Sequence, residues 1–155
     1  MREVDYARSL FRYIDMKSPP VNIERLLELL DVKLMYEDFE QLNGIALKSP
    51  KLKLIVVNKN LPETRMRFTI AHELGHIIMP HRKKYYLCVP GKNRLMERAA
   101  NKFAAEILMP QPMVKYLWNK FKHNPEHRIE AMAHALKVSK AALFPRLREL
   151  GFIYK

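Results

Sequence analysis

Residues 72–76 read HELGH, and this segment constrains the fold more than any other part of the chain. Two histidines four residues apart lie on the same face of an α-helix, one turn apart. That spacing allows both imidazoles to reach one zinc ion at about 2.0–2.1 Å. The glutamate after the first histidine is then placed to act as a general base on a water molecule. The segment predicts a zinc site on a helix, with ligands His72 and His76 and base Glu73. Because such a pentapeptide also arises by chance, a helix with two incidental histidines is the alternative.

The residues around this segment favour a largely buried helix. Apolar side chains recur at helical spacing and form one stripe: Met66, Ile70, Leu74, Ile77 and Ile78. Asn60 is a candidate cap, Pro62 lies in the predicted first turn, and Pro80 ends the pattern. Gly75 in the middle of a helix costs about 1 kcal/mol relative to alanine. We therefore expect metal, substrate or another backbone to approach closely at this position.

A catalytic zinc site takes three protein ligands and leaves a fourth position for water. His81 is the nearest further histidine, but Pro80 interrupts the approach, and we interpret His81 as a surface residue. Glu97 is the better candidate, because it opens a predicted helix over residues 97–108. On that helix it shares a face with three small or apolar residues: Ala100, Ala104 and Leu108. A carboxylate on such a face is costly to bury unless it is paired or bound to a metal. The alternative is a solvated carboxylate favoured by the helix dipole.

Asn101 lies one turn after Glu97 on the same predicted helix. Its side-chain oxygen can accept the free N–H of His72 or His76, which would fix the tautomer and the direction of that ring. An exposed helical asparagine is the alternative. Glu106 lies nine residues beyond Glu97, or two and a half turns, and we expect it to point elsewhere.

Two longer blocks resemble those of the ImmA/IrrE family of metallo-endopeptidases. They are FTIAHELGH, at residues 68–76, and ERAANKFAAEILMP, at residues 97–110. The similarity covers essentially the whole chain. The resemblance implies a zincin-like, gluzincin-type fold, one Zn²⁺ held by His72, His76 and Glu97, and a catalytic glutamate in the HELGH segment. It also implies a substrate class, namely regulatory proteins that are often transcriptional repressors of phages or mobile elements.

The remaining patterns complete an α+β fold. Three segments are predicted strands: residues 32–36, 45–47 and 52–57. They suggest a small, mostly antiparallel, three-stranded sheet packed on the helix that carries the HELGH segment. We interpret residues 1–155 as a single metallopeptidase domain with a zincin-like core at 1–110. Residues 111–155 are predicted to form a helical, helix-turn-helix-like subdomain.

The segment between the two motif helices, residues 81–93, is basic and contains Pro90-Gly91, which predicts a loop across one rim of the cleft. Tyr85, Tyr86 or a later histidine can stabilise an oxyanion there, although aromatic packing is the alternative. The single cysteine, Cys88, excludes a disulfide within the chain and suits a reducing compartment. With no apolar leader and no run of about 18 apolar residues, we expect a cytoplasmic protein without a membrane span.

The charge is concentrated in the second half of the chain. Residues 1–80 carry 12 Lys/Arg and 11 Asp/Glu, whereas residues 81–155 carry 16 and 5. A basic half favours an acidic protein surface or a polyanion as partner, and a solvated lysine-rich surface is the alternative.

The spacing around Val138-Ser139 resembles a helix-turn-helix, a geometry that also occurs without any role in DNA binding. Lys140, Arg146 and Arg148 would decorate the last helix, although Pro145 should kink or split it. The second hypothesis is therefore a non-catalytic regulatory protein that binds a repressor or DNA through the basic half. The complete set of ligands and base favours the peptidase.

Overall fold

The computed structural model describes residues 2–80, 85–88 and 94–154, which form an α+β fold. The helices are α1 (Glu3–Arg8), α2 (Ile23–Leu29), α3 (Glu63–Ile78), α4 (Arg94–Leu108), α5 (Gln111–Lys120), α6 (Arg128–Leu136) and α7 (Lys140–Glu149). The strands are β1 (Lys33–Glu37), β2 (Gly44–Lys48), β3 (Lys53–Asn58) and β4 (Tyr85–Cys88), and a 3₁₀ turn covers Phe11–Tyr13. The α+β fold class predicted from the sequence is confirmed.

The strands form one sheet in the order β1-β3-β2-β4. Strand β3 runs parallel to β1 and antiparallel to β2, and β2 in turn runs antiparallel to β4. Ile55 and Val57 of β3 are fully buried, as expected for a strand with a neighbour on each side. The predicted sheet, mostly antiparallel, is confirmed, and it has one strand more than the sequence indicated.

Strand β4 corrects the interpretation of residues 81–93 as a loop. Residues Tyr85–Cys88 pair with β2, with Tyr85 opposite Leu47 and Cys88 opposite Gly44. Hydrogen bonds to a strand some 40 residues earlier hold this short segment, and local sequence patterns do not reveal such long-range pairing. His81 lies outside the described residues. The role of Tyr85 or Tyr86 in stabilising an oxyanion stays a prediction.

Helix α3 lies at the centre of the fold, between the sheet and helix α4. Ile70, Ala71 and Leu74 are buried in the core that it shares with its neighbours. The helix begins after Pro62, so the prediction of Asn60 as its cap is wrong. Asn60 instead uses its amide group to donate a hydrogen bond to the Asp38 carboxylate. The end is as predicted, since the helix stops two residues before Pro80.

Helices α5 to α7 follow the second motif helix, and their apolar residues belong to the same buried cluster as the core around α3. Helix α7 runs from Lys140 to Glu149 without a break, although Pro145 lies inside it. Because proline has no N–H, the carbonyl of Ala141 lacks its usual helical hydrogen bond. Ala141 and Pro145 are both exposed, so water can donate to that carbonyl instead. The expectation that Pro145 splits this helix is therefore wrong.

The side chain of Arg146 also differs from expectation, because the sequence placed it on the outer surface of helix α7. Its side chain is only 3% exposed. It donates hydrogen bonds to the Glu106 carboxylate at 2.5 Å and to the Met109 carbonyl at 3.0 Å. Lys140 pairs with Glu130 at 2.9 Å. The basic surface predicted for a nucleic-acid contact on α7 is correspondingly smaller.

Candidate metal centre

The two histidines of the HELGH segment lie one turn apart on α3 and are almost fully buried. Their ring centroids are 4.9 Å apart and the ring planes are nearly perpendicular, at 79°. The two Nε2 atoms come within 3.3 Å of each other. Residues of α3 thus bring two imidazole nitrogens to one point, as the i, i+4 spacing predicts.

Helix α4 brings Glu97 to the same point. Its Oε2 atom lies 2.6 Å from His72 Nε2, and its Oε1 atom lies 3.1 Å from His76 Nε2. The ligand atoms of all three residues lie within 4.8 Å of one another. Glu97 keeps partial access to solvent, with 24% of its side chain exposed, whereas both histidines are closed off.

Close packing of α3 on α4 produces this arrangement. Ala100 and Ala104 of α4 are fully buried, as expected for small residues at a tight helix–helix contact. Opposite them, Gly75 leaves room for Phe103, because a Cβ atom there would lie only 3.0 Å from the Phe103 ring. The mid-helix glycine predicted to allow a close approach therefore makes space for an aromatic side chain of the second motif helix.

Asn101 lies against the outer nitrogen of His72. Its Oδ1 atom is 2.7 Å from His72 Nδ1, the contact expected from its position one turn after Glu97. With the amide oxygen as acceptor, Nδ1 carries a proton, and Nε2 is left to bind a cation. This contact suits a metal-ligand role for His72, because it leaves the Nε2 atom of the ring free to face His76 and Glu97.

The contact between His72 and Glu97 shows whether a metal ion fits the site. The Nε2 lone pair of His72 faces the Glu97 carboxylate at 2.6 Å, and two acceptors at that distance repel unless a cation or a proton lies with them. Two imidazole nitrogens and one carboxylate oxygen are the ligand set of many catalytic zinc sites. The three residues therefore fit a divalent metal ion.

The pKa values of these residues show the same attraction for positive charge. Burial alone would raise the pKa of Glu97, but when protons occupy the Nε2 positions of His72 and His76, the hydrogen bonds from these rings outweigh burial and lower the pKa to about 2. For His72, burial alone lowers the pKa, yet the hydrogen bond to Glu97 and the charges of Glu73 and Glu97 raise it overall. The site favours a cation at the His72 Nε2 position.

Glu73, the predicted general base, is fully buried beside the histidines. Its Cγ atom lies 3.4 Å from the position that a Cβ atom on Gly44 would occupy, and Thr69 Cγ2 lies only 2.8 Å from that position. Gly44 begins strand β2, so the absence of a side chain there lets β2 pass directly over this part of α3. Local sequence patterns do not reveal this packing role of Gly44.

Glu106 points away from the metal-ligand cluster, as expected from its distance along α4. Its side chain is 1% exposed and pairs with Arg146 at 2.5 Å and with Arg8 at 2.9 Å. Sequence reasoning missed this buried ion pair. A glutamate and two arginines far apart in the chain carry no local signal of their pairing.

An α+β fold in which a HELGH helix packs under a small sheet, with a carboxylate from the next long helix, defines a zincin-like metallopeptidase. A protein-family model described as the IrrE N-terminal-like domain, peptidase M78, matches residues 27–148. The chain therefore belongs to the peptidase M78 family, in agreement with the ImmA/IrrE resemblance, and this membership implies a metallopeptidase-type function. A comparison with curated proteins finds no match. Among the residues that the structure describes, no helix is both long and apolar enough to cross a membrane.

Proposed function

We propose that this protein is a zinc-dependent endopeptidase that cleaves a regulatory protein, namely a transcriptional repressor of the phage or mobile-element type. The observation that carries the proposal is the convergence of His72, His76 and Glu97 on one point, with a buried glutamate beside them. The substrate class follows from the ImmA/IrrE resemblance, and family membership supports the metallopeptidase part.

His72, His76 and Glu97 would hold the zinc ion, and Asn101 would keep the His72 ring in its binding orientation. Zinc bound there supplies a Lewis acid that polarises the scissile carbonyl and activates water. Glu73 accepts the proton from the attacking water and delivers it to the leaving nitrogen of the cleaved peptide bond. Because the Glu73 carboxylate is buried, bulk water does not reach it to take that proton.

The metal part of this proposal is tested by the zinc content of the purified protein. We expect about one zinc per chain in the wild type and a clear loss in Glu97→Ala, because two ligands hold the ion less tightly than three. Arg98→Ala, at the neighbouring exposed position of α4, is the matched control and should keep its zinc. A wild type that stays free of metal after incubation with zinc would refute the proposed site.

The catalytic part is tested with Glu73→Gln, which keeps the size of the side chain and removes its basicity. Zinc-loaded wild type and Glu73→Gln are incubated separately with an extract of the cells that encode the protein, and new protein N-termini are compared by mass spectrometry. We expect a few new termini, in DNA-binding regulators, with the wild type alone. Cleavage spread over many unrelated proteins would contradict the substrate class, and equal cleavage by both proteins would contradict the role of Glu73.

A further inference from the structure

A groove lies between the first half of α3 and the turn that leads into α7. Its volume is about 630 Å³, within the range of roughly 300–1,000 Å³ typical of ligand sites. Phe68 and Arg65 line it on the α3 side, and Val138 and Ala142 line it on the α7 side. The C-terminal helices therefore form one wall of a groove whose other wall belongs to the helix of the metal ligands.

The groove continues the face of α3 that carries the metal ligands. Phe68 precedes His72 by four residues and Arg65 precedes it by seven, so both lie on the His72 face of the helix. At 1.5 Å per residue, Phe68 is about 6 Å and Arg65 about 10 Å from His72 along the helix axis. An extended peptide advances about 3.3 Å per residue. For an extended peptide that runs along the α3 axis from the metal ligands, the two side chains correspond to substrate positions about two and about three residues from the scissile bond.

The side chains that line the groove change from apolar to charged with increasing distance from His72. One turn before His72 the surface of the groove is apolar, formed by the half-buried Phe68 with Val138 and Ala142. At the far end Arg65 is exposed, and within the described part of the chain no carboxylate lies at ion-pair distance from its guanidinium. The nearby carboxylate of Glu63 is paired with Lys137 at 3.6 Å. The groove therefore offers an apolar surface followed by a positive charge.

We propose that this groove is a specificity subsite for an extended segment of the substrate. It takes a large apolar side chain against Phe68 and, at the next position away from the scissile bond, an acidic side chain that pairs with Arg65. The inference deepens the proposed peptidase function and rests on it, since the substrate positions are counted from the metal ligand His72. It also gives helices α6 and α7 a role in holding the protein substrate.

The test is a selection from a library of short random peptides displayed on phage, with zinc-loaded Glu73→Gln as bait so that bound peptides are not cut. We expect the enriched peptides to share a large apolar residue followed or preceded directly by Asp or Glu. Ala142→Trp, which fills the groove, should weaken binding of these peptides at least tenfold. Arg65→Glu should weaken it roughly tenfold, because an attraction becomes a repulsion. Lys115→Glu, at a position on α5 that is also exposed, is the matched charge-reversal control and should leave binding unchanged.

A charge exchange separates direct recognition from a structural effect. The enriched peptide with its acidic residue changed to lysine should bind Arg65→Glu better than it binds the parent bait. The proposal is overturned if no peptide is enriched, if the enriched peptides lack the apolar–acidic pair, or if the groove variants bind them as the parent does. Cleavage of the enriched peptides by wild-type protein tests the peptidase separately. Peptides that bind in the groove and are never cut would refute the proposed peptidase activity without refuting the proposed binding site.

Discussion

Replacement of Arg146 by methionine should destabilise the protein strongly, although the residue lies in a basic segment near the end of the chain. The Arg146 side chain is 3% exposed and that of Glu106 is 1% exposed, with 2.5 Å between their charged atoms. In Arg146→Met the Glu106 carboxylate stays buried and, among the residues that the structure describes, keeps only Arg8 as a partner, whose side chain is half exposed. The Met109 carbonyl also loses the hydrogen bond from Arg146 Nε.

The size of the effect follows from these contacts. Removal of one partner from a buried ion pair costs about 3–5 kcal/mol, because it leaves a buried charge without compensation. Since Arg8 still faces Glu106, we expect the lower end of that range, about 3 kcal/mol. For a chain of this size, 1 kcal/mol corresponds to about 2–4 °C in melting temperature, so the expected decrease is about 6–12 °C.

Urea unfolding of the metal-free protein, followed by circular dichroism, measures this change without interference from zinc binding. Arg148→Met, at an exposed position two residues further along α7, is the control and should stay within about 0.5 kcal/mol of the wild type. In the double variant Glu106→Met/Arg146→Met both charges are gone. The cost should fall to about 1 kcal/mol, the value of the lost bond to the Met109 carbonyl.

Two results would refute this reasoning. One is a loss below about 1 kcal/mol in Arg146→Met, which would mean that the Glu106 charge is solvated in the variant. The other is additivity, in which the double variant is destabilised by the sum of the two single changes. Additivity would show that Glu106 and Arg146 stabilise the fold independently of each other.

Three further predictions concern the metal centre. In Asn101→Ala, zinc affinity should fall by about 10- to 100-fold, because the His72 ring loses the partner that fixes its tautomer, and competition with a zinc chelator measures this. In Gly75→Ala, the new methyl group meets Phe103 at 3.0 Å. Overpacking against Phe103 should cost about 1–3 kcal/mol, whereas alanine gains about 1 kcal/mol in helix propensity. The free energy of unfolding should therefore decrease on balance. A variant more stable than the wild type would contradict the packing argument. Removal of zinc should lower the free energy of unfolding by about 2.7 kcal/mol, relative to protein held at a zinc concentration 100 times the dissociation constant. Equal melting temperatures with and without a chelator would argue against zinc binding to the folded state.

The sequence predicted those parts of the fold that local patterns encode. Helix α3 was predicted because its apolar stripe has helical spacing and Pro80 marks its end. The convergence of Glu97 on the two histidines was expected because a carboxylate shares a face with small residues on the next long helix. Each of these inferences uses residues within a few turns of one another.

The features that the sequence did not predict depend on partners far away in the chain. Strand β4 is four residues long, in a segment with basic residues and a Pro-Gly pair, and its pairing with β2 stabilises it. Arg146 has the composition of a surface residue, and its burial follows from Glu106, 40 positions earlier. Gly75 was expected to accommodate a metal, a substrate or a backbone, and its neighbour is the Phe103 side chain.

Helix α4 links these observations, because it carries the candidate metal ligand Glu97 near one end and the buried, ion-paired Glu106 near the other. Glu97 and Glu106 are nine residues apart, about 13 Å along the axis. Glu106 is held by Arg146 of α7 and by Arg8 of α1, while Glu97 faces the histidines of α3. Since a zinc site depends on ligand placement to within a few tenths of an ångström, contacts that hold one end of a rigid helix also hold its other end. Helices α1 and α7 therefore hold α4 through Glu106, and by this argument they would help to position the candidate ligand Glu97, which gives the buried Arg146 a structural role.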